Sequence, residues 1–117
     1  MKFDNDIPIY LQIVSEIKLY IISGKLKPGD RLLSVREFAI KFKVNPNTIQ
    51  KALQELEDLK LVYTERTNGK FVTNDSRLIK KYKDNIANSI KDKYFKDMES
   101  IGYTYNEATK FLESREK

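Results

Sequence analysis

Between Ser34 and Lys51 the chain gathers Arg36, Lys43, Asn45, Asn47, Thr48, Gln50 and Lys51, and a second set, Arg66, Asn68 and Lys70 around Gly69, follows a short way on. These side chains offer guanidinium, ammonium, carboxamide and hydroxyl groups, the donors and acceptors that grip phosphate oxygens and read base edges. Proton transfer and metal ligation are poorly served. The sequence has no histidine and no cysteine, so the imidazole base, the thiolate nucleophile and the usual metal ligands are missing. No acid–base constellation stands out among Asp, Glu, Tyr and Lys, so neither a catalytic residue nor a metal or cofactor is expected.

The elements that would position these groups can be read locally. Ser34 and Glu37 form an S-x-x-E capping box, which opens a short helix whose Val35, Phe38, Ala39 and Phe42 face inward. Lys43-Val44-Asn45 is the turn. Asn45 followed by Pro46 reads as the cap and first position of a second helix running to about Lys60, with Ile49, Leu53, Leu56 and Leu59 on its buried side. That leaves Asn47, Thr48, Gln50 and Lys51 exposed near its N-terminal end, where recognition helices meet base edges.

Leu61–Thr64 and Phe71–Thr73 have the β-branched and aromatic content of strands, and Asn68-Gly69 between them suits a tight turn. Arg66 and Lys70 flank that turn and can offer cations to phosphate or to a minor groove. Upstream, Asp6 or Ile7 is expected to open a helix with Pro8 in its first turn. Its apolar stripe would be Tyr10, Val14, Ile17 and Ile21 with Leu11 alongside, and its stop Gly24. Pro28-Gly29-Asp30 is a turn signature, and Arg31-Leu32-Leu33 is expected to pair briefly as a strand. The predicted fold class is mainly α with a small β-hairpin (α+β), its N-terminal part a winged helix-turn-helix over residues 1–75.

Composition sets the limits. A chain of 117 residues with 40% apolar content supports one small domain with an appendage and a modest core, and oligomerisation would help it fold. Net charge is +5 and the isoelectric point about 9.3, a balance that favours polyanionic partners. Arg36, Lys41, Lys43 and Lys51 face the single acid Glu37 between Arg36 and Gln54, whereas Glu55, Glu57 and Asp58 bunch just afterwards. Positive charge therefore lies on the turn side of the helix pair. No targeting segment and no apolar run near the roughly 20 residues of a membrane span is present, which predicts a cytoplasmic protein without a membrane partner.

Several segments together resemble the GntR-type bacterial transcription regulators, and within them the short YtrA-like subfamily. They are Pro8-Ile9-Tyr10, Leu26-Lys27-Pro28-Gly29-Asp30-Arg31-Leu32, Ser34-Val35-Arg36-Glu37, Val44-Asn45-Pro46-Asn47-Thr48 and Asn68-Gly69-Lys70-Phe71-Val72. The resemblance covers most of the chain. It implies DNA contacts by Arg36, Asn45, Asn47, Thr48, Gln50 and Gly69. Ser34, Lys43, Lys51, Arg66, Asn68 and Lys70 join them as DNA-contact candidates from their place beside the same turn, helix end and wing. Lys60 stands where the family often has a helix-ending glycine.

The tail from Asn74 onward has its own pattern. Ile79, Tyr82, Ile86, Ile90, Tyr94, Met98 and Ile101 recur at three- and four-residue spacing along one long helix ending near Gly102. Thr104 with Glu107 forms another capping box, for a final helix carrying Ala108, Phe111 and Leu112. Two helices do not enclose a typical ligand pocket of roughly 300 Å³ or more. Residues 76–117 are therefore expected to be a helical dimerisation domain, with Ile79, Tyr82, Ile86, Ile90, Tyr94, Met98, Phe111 and Leu112 at the interface, and the resemblance implies the same. The resulting expectation is a homodimeric regulator, acting as a repressor, bound to a palindromic double-stranded operator with half-sites about 34–36 Å apart. The alternative is a winged-helix protein–protein interaction module with only sequence-blind DNA affinity. The operator, the regulated genes and any small-molecule effector are not legible in the residues.

Overall fold

The computed structural model describes Met1 to Ser114. The order of elements is α1 (Ile9–Ile22), α2 (Val35–Phe42), α3 (Pro46–Asp58), β1 (Val62–Glu65), β2 (Gly69–Val72), α4 (Ser76–Ser100) and α5 (Tyr105–Glu113). This is a winged helix-turn-helix followed by a helical region. The chain divides into two compact units, Met1–Lys81 and the part from Tyr82 onward.

In the first unit α1 and α2 both pack on α3, and α3 packs on β1. The core is built from Ile13, Val14, Ile17 and Ile21 of α1, Phe38 and Phe42 of α2, Ile49, Ala52, Leu53 and Leu56 of α3, and Leu61, Val62 and Val72 of the hairpin. Each large apolar side chain taken from water contributes about 1.5–3 kcal/mol before the chain entropy is counted. The buried face of α1 differs from the expected one. Ile13 is fully buried, Tyr10 is half-buried and Leu11 is exposed, because the face toward α3 is centred on Val14, Ile17 and Ile21 and Leu11 lies off it.

The start of α1 also needs correction. Pro8 is the cap, with an extended ψ of 135°, and the helix begins at Ile9 rather than at Asp6 or Ile7. The residues before it are held by Gln12, whose carboxamide donates to the carbonyls of Asp4 and Ile7 and accepts from the Asp4 N–H at 2.7 Å. Asp4 in turn accepts from the Asp6 N–H. These side-chain bonds hold Asp4 to Ile7 in a turn that precedes the helix.

Both expected boxes are present. Glu37 N–H donates to Ser34 Oγ at 3.1 Å while Ser34 N–H donates to Glu37 Oε1 at 2.9 Å, and Thr104 and Glu107 repeat the pattern at the start of α5. At the end of α3 the left-handed residue is Lys60, φ 65°. Lys60 N–H reaches Glu57 O and Leu61 N–H reaches Leu56 O, so the last carbonyls are satisfied without the glycine usual there.

The hairpin pairs Val62 with Val72, Tyr63 with Phe71, Thr64 with Lys70 and Glu65 with Gly69. Gly69 is thus the first residue of β2, at φ 101°, and the loop is Arg66-Thr67-Asn68, closed by Asn68 N–H on Glu65 O. The tight turn expected at Asn68-Gly69 is thus centred just before that dipeptide. The residue that follows the three-residue loop is at positive φ, which is why glycine stands there. Arg31 bridges to Phe71, and Leu32 N–H donates to Lys70 O, so the connector pairs with β2 at an isolated bridge where a brief strand is expected.

In the second unit, Tyr94 Oη donates to Ala108 O at 2.7 Å, Ala108 is buried, and Phe95 stacks on Tyr105 at 4.6 Å. Gly102, with φ 99°, ends α4, where Tyr103 N–H closes on Met98 O. Helix α4 buries none of its residues. Ile90, Phe111 and Leu112 are exposed, and Ile79, Ile86, Tyr94 and Met98 only half-covered.

Candidate nucleic-acid interface

The N-terminal end of α3 is set by Asn45 and Pro46. Asn45 Oδ1 accepts from Asn47 N–H at 2.8 Å, satisfying an orphan donor, and Pro46 has no donor to leave unpaired. Asn45 is thereby committed as a cap, with its amide nitrogen left for a partner. Asn47, Gln50 and Lys51 are exposed and Thr48 half-exposed along the following turn. Ile49, Leu53 and Leu56 anchor the opposite face. These polar groups therefore project from a helix whose rotation about its axis is fixed by its core.

The turn before α3 depends on Lys43, which is left-handed at φ 58° and places Val44 N–H on Ala39 O at 3.1 Å. Its exposed ammonium sits at the junction of α2 and α3. Arg36 lies in the first turn of α2 and is exposed. Ser34 Oγ accepts the Glu37 N–H. Glu37's carboxyl lies below the usual glutamate range because the Ser34 N–H and hydroxyl hydrogen-bond it, with Arg31's charge adding to the effect.

The wing contributes unevenly. Arg66, Asn68 and Gly69 are exposed at or beside its tip, and Asn68 Nδ2 donates to Glu65 Oε2 at 3.2 Å. Lys70 is held elsewhere. Its Nζ lies 2.8 Å from Glu57 Oε1 and 2.8 Å from Thr64 Oγ1, so it fastens β2 to the last turn of α3 instead of standing at the tip. Thr64 also donates to Glu57 Oε1. Burial alone would raise the Glu57 pKa, but the hydrogen bonds from Lys70 and Thr64 and the Lys70 charge outweigh it and leave the carboxyl below the ordinary range.

Two residues beside this surface have no counterpart among the expected contacts. Lys51 Nζ stands 4.1 Å from the centroid of the Tyr10 ring, and Ile9, Tyr10, Asn47, Thr48 and Lys51 line an open cavity of about 360 Å³. Tyr10 falls on a helical apolar stripe, so its sequence position signals core while its place in the fold is beside Asn47, Thr48 and Lys51. Arg31 is the other. A β-carbon at Gly69 would come 3.4 Å from Arg31 Nε, so the guanidinium lies against the glycine of the wing. The pairing of the connector with β2 brings these two together.

Among the described residues no cluster of acidic side chains could hold a metal ion, and no helix is long and apolar enough to cross a membrane.

Comparison with known proteins matches the same region. The family described as "Bacterial regulatory proteins, gntR family" matches residues 9–72, from the start of α1 to the end of β2. The uncharacterized HTH-type transcriptional regulator YhcF of Bacillus subtilis is 40% identical over 106 residues, spanning 91% of this chain and 88% of its own length. The HTH-type transcriptional repressor YtrA of the same organism is 41% identical over 70 residues, 60% of this chain and 54% of its own. Among solved structures, a GntR family transcriptional regulator from Listeria monocytogenes superposes with a TM-score of 0.84 at 39% identity, covering 97% of this chain and all 100% of that one. AraR(DBD) in complex with operator ORX1 superposes at 0.56 with 33% identity over 57% of this chain and 81% of that one.

Proposed function

The chain belongs to the GntR family of bacterial regulatory proteins, and from that premise we propose that it is a sequence-specific DNA-binding transcription regulator, a homodimeric repressor of a palindromic operator in the cytoplasm. The observation that carries this reading is the exposed row Asn47, Thr48, Gln50 and Lys51 at the capped end of α3, with the wing tip on the same unit. A related fold, AraR(DBD), has been solved on an operator.

Arg36, Lys43, Lys51 and Arg66 supply phosphate contacts and so most of the affinity, while Asn47, Thr48 and Gln50 choose the sequence. Asn68 and Gly69 let the wing approach the backbone closely. Ser34 acts through the capped start of α2 that presents Arg36, and Asn45 adds a carboxamide beside its capping role. Lys70 acts mainly by holding the wing on α3.

The dimer follows from the tail. Helix α4 extends about 37 Å at 1.5 Å per residue and buries no residue, and Ala87, Ile90, Tyr94 and Leu112 line an apolar groove in the second unit. A second copy of the same helices would cover Ile79, Tyr82, Ile86, Ile90, Tyr94, Met98, Phe111 and Leu112. Repression needs nothing beyond occupancy, since a bound dimer blocks polymerase, and YtrA, a relative over the DNA-binding half, is named a repressor.

Footprinting on the DNA upstream of its own gene tests the arrangement. Two protected blocks related by a dyad and about 34–36 Å apart, or a multiple of that spacing, are expected. A single unpaired block would count against the dimeric reading.

A further inference from the structure

A second concave site lies in the first unit, formed by the end of α1, the connector and α2. It is a cleft of about 230 Å³ lined by Tyr20, Lys25, Leu26, Arg31, Leu33, Phe38 and Lys41. Its chemistry is two-sided. Leu26, Leu33 and the buried Phe38 give an apolar floor, and three cations stand around it. Lys25 Nζ is 4.4 Å and Lys41 Nζ 5.4 Å from the centroid of the same Tyr20 ring.

One aromatic ring thus attracts two ammonium groups that repel each other. Among the described residues, none of Lys25, Arg31 and Lys41 is in an ion pair. The acids nearby are Glu16, beside the Tyr20 hydroxyl, and Glu37, already bound to Ser34. Three cations around an apolar floor of this size are complementary to a compact anion with an apolar body.

We propose that this cleft is a binding site for a small organic carboxylate, its charged group between Lys25, Lys41 and Arg31 and its apolar part on Leu26, Leu33 and Phe38. The site is separate from the readout row on α3. It adjoins the wing, because Arg31 lies against Gly69, and an anion that draws the guanidinium toward the cleft loosens that contact. Any effect on DNA binding rests on the regulator reading, whereas occupancy of the cleft does not.

The test is a titration of the uniformly ¹⁵N-labelled full chain followed by amide NMR, with three probes: sodium benzoate, benzyl alcohol and inorganic phosphate. Benzoate is expected to shift the amides of Lys25, Leu26, Leu33, Lys41 and Gly69 saturably. Benzyl alcohol, with the ring and no charge, leaves them in place, and phosphate, with the charge and no ring, binds at least several-fold more weakly. The double variant Lys25→Gln with Lys41→Gln, both exposed, keeps the wild-type melting temperature and loses about tenfold or more in benzoate affinity, as charge-assisted contacts of this kind predict.

Absence of a saturable shift with benzoate overturns the proposal, as does equal binding of benzyl alcohol. Phosphate binding as tightly as benzoate overturns it too, by showing that the cations serve phosphate alone, as duplex contacts would. Should the double variant fold poorly, the contrast between the three probes on the wild-type chain decides the matter.

Discussion

Lys70 Nζ and Glu57 Oε1 meet at 2.8 Å, and through this pair the second strand of the wing is fastened to the last turn of the recognition helix. Both side chains are mostly shielded, at 28% and 21% exposure, so the pair is worth more than a solvated surface bridge. The exposed row of α3 and the wing are thereby tied together. Glu57→Gln keeps the shape and removes the charge. It is expected to cost about 1–2 kcal/mol of stability, and to weaken operator and shuffled duplex to a similar degree. Denaturant unfolding with paired binding titrations checks both effects.

The same pair sets a response to acid. The folded-state pKa of Glu57 is lowered below its ordinary 4.5, and those of Glu37 and Glu107 are lowered by hydrogen bonds from Ser34 and Thr104. A lowered carboxyl pKa gives stability that is present above the ordinary value and is lost as pH falls through the folded one. The melting temperature should hold steady down to about pH 5 and fall below it. Glu57→Gln should show a shallower fall. A melting series from pH 7 to 3 on both proteins reads this directly.

Capping and readout separate by residue. Asn45→Ala removes the acceptor for Asn47 N–H and is expected to lower stability by about 1 kcal/mol. Gln50→Ala should leave stability within about 0.5 kcal/mol and lose about 1–3 kcal/mol of discrimination at one base pair. Selection of bound sequences by the two variants, alongside their melts, shows whether the division holds.

Lys60 holds a left-handed conformation at φ 65° without glycine's freedom. Lys60→Gly relieves that strain while giving the unfolded chain more freedom, and the net effect should be a gain of about 0.5 kcal/mol. A destabilised variant in urea unfolding would mean that the lysine side chain itself supports the end of α3.

Ile90 and Leu112 are 64% and 61% exposed in the single chain. Were the protein a monomer, replacing both by aspartate would change little. As interface residues they should, when replaced, abolish dimerisation in sedimentation velocity and leave the fold of the first unit intact by circular dichroism. Loss of tight operator binding should follow.

Much of this was legible in the residues because the signals were local. The Ser34–Glu37 and Thr104–Glu107 boxes, the Asn45-Pro46 start and the Gly102 stop each depend on neighbours within a turn of the chain, and each is where its pattern puts it. What escaped depends on partners far along the sequence. Nothing near Lys70 announces Glu57, nothing near Lys51 announces Tyr10, and the place of Arg31 against Gly69 requires the connector to pair with β2. The start of α1 lies at Ile9 because Gln12 reaches back to Asp4, and Asn68 closes the turn instead of occupying its centre, which Arg66 and Thr67 form.

The most direct test is a fluorescence-anisotropy titration against the DNA upstream of its own gene and against a shuffled duplex, at near-physiological salt, with Arg36→Ala alongside. A specific regulator binds the upstream duplex at least a hundredfold more tightly than the shuffled one, and Arg36→Ala sharply weakens that binding. Equal, weak binding to both duplexes, unchanged in Arg36→Ala and repeated across genome-wide selected fragments, would contradict the account and favour a winged helix that docks another protein.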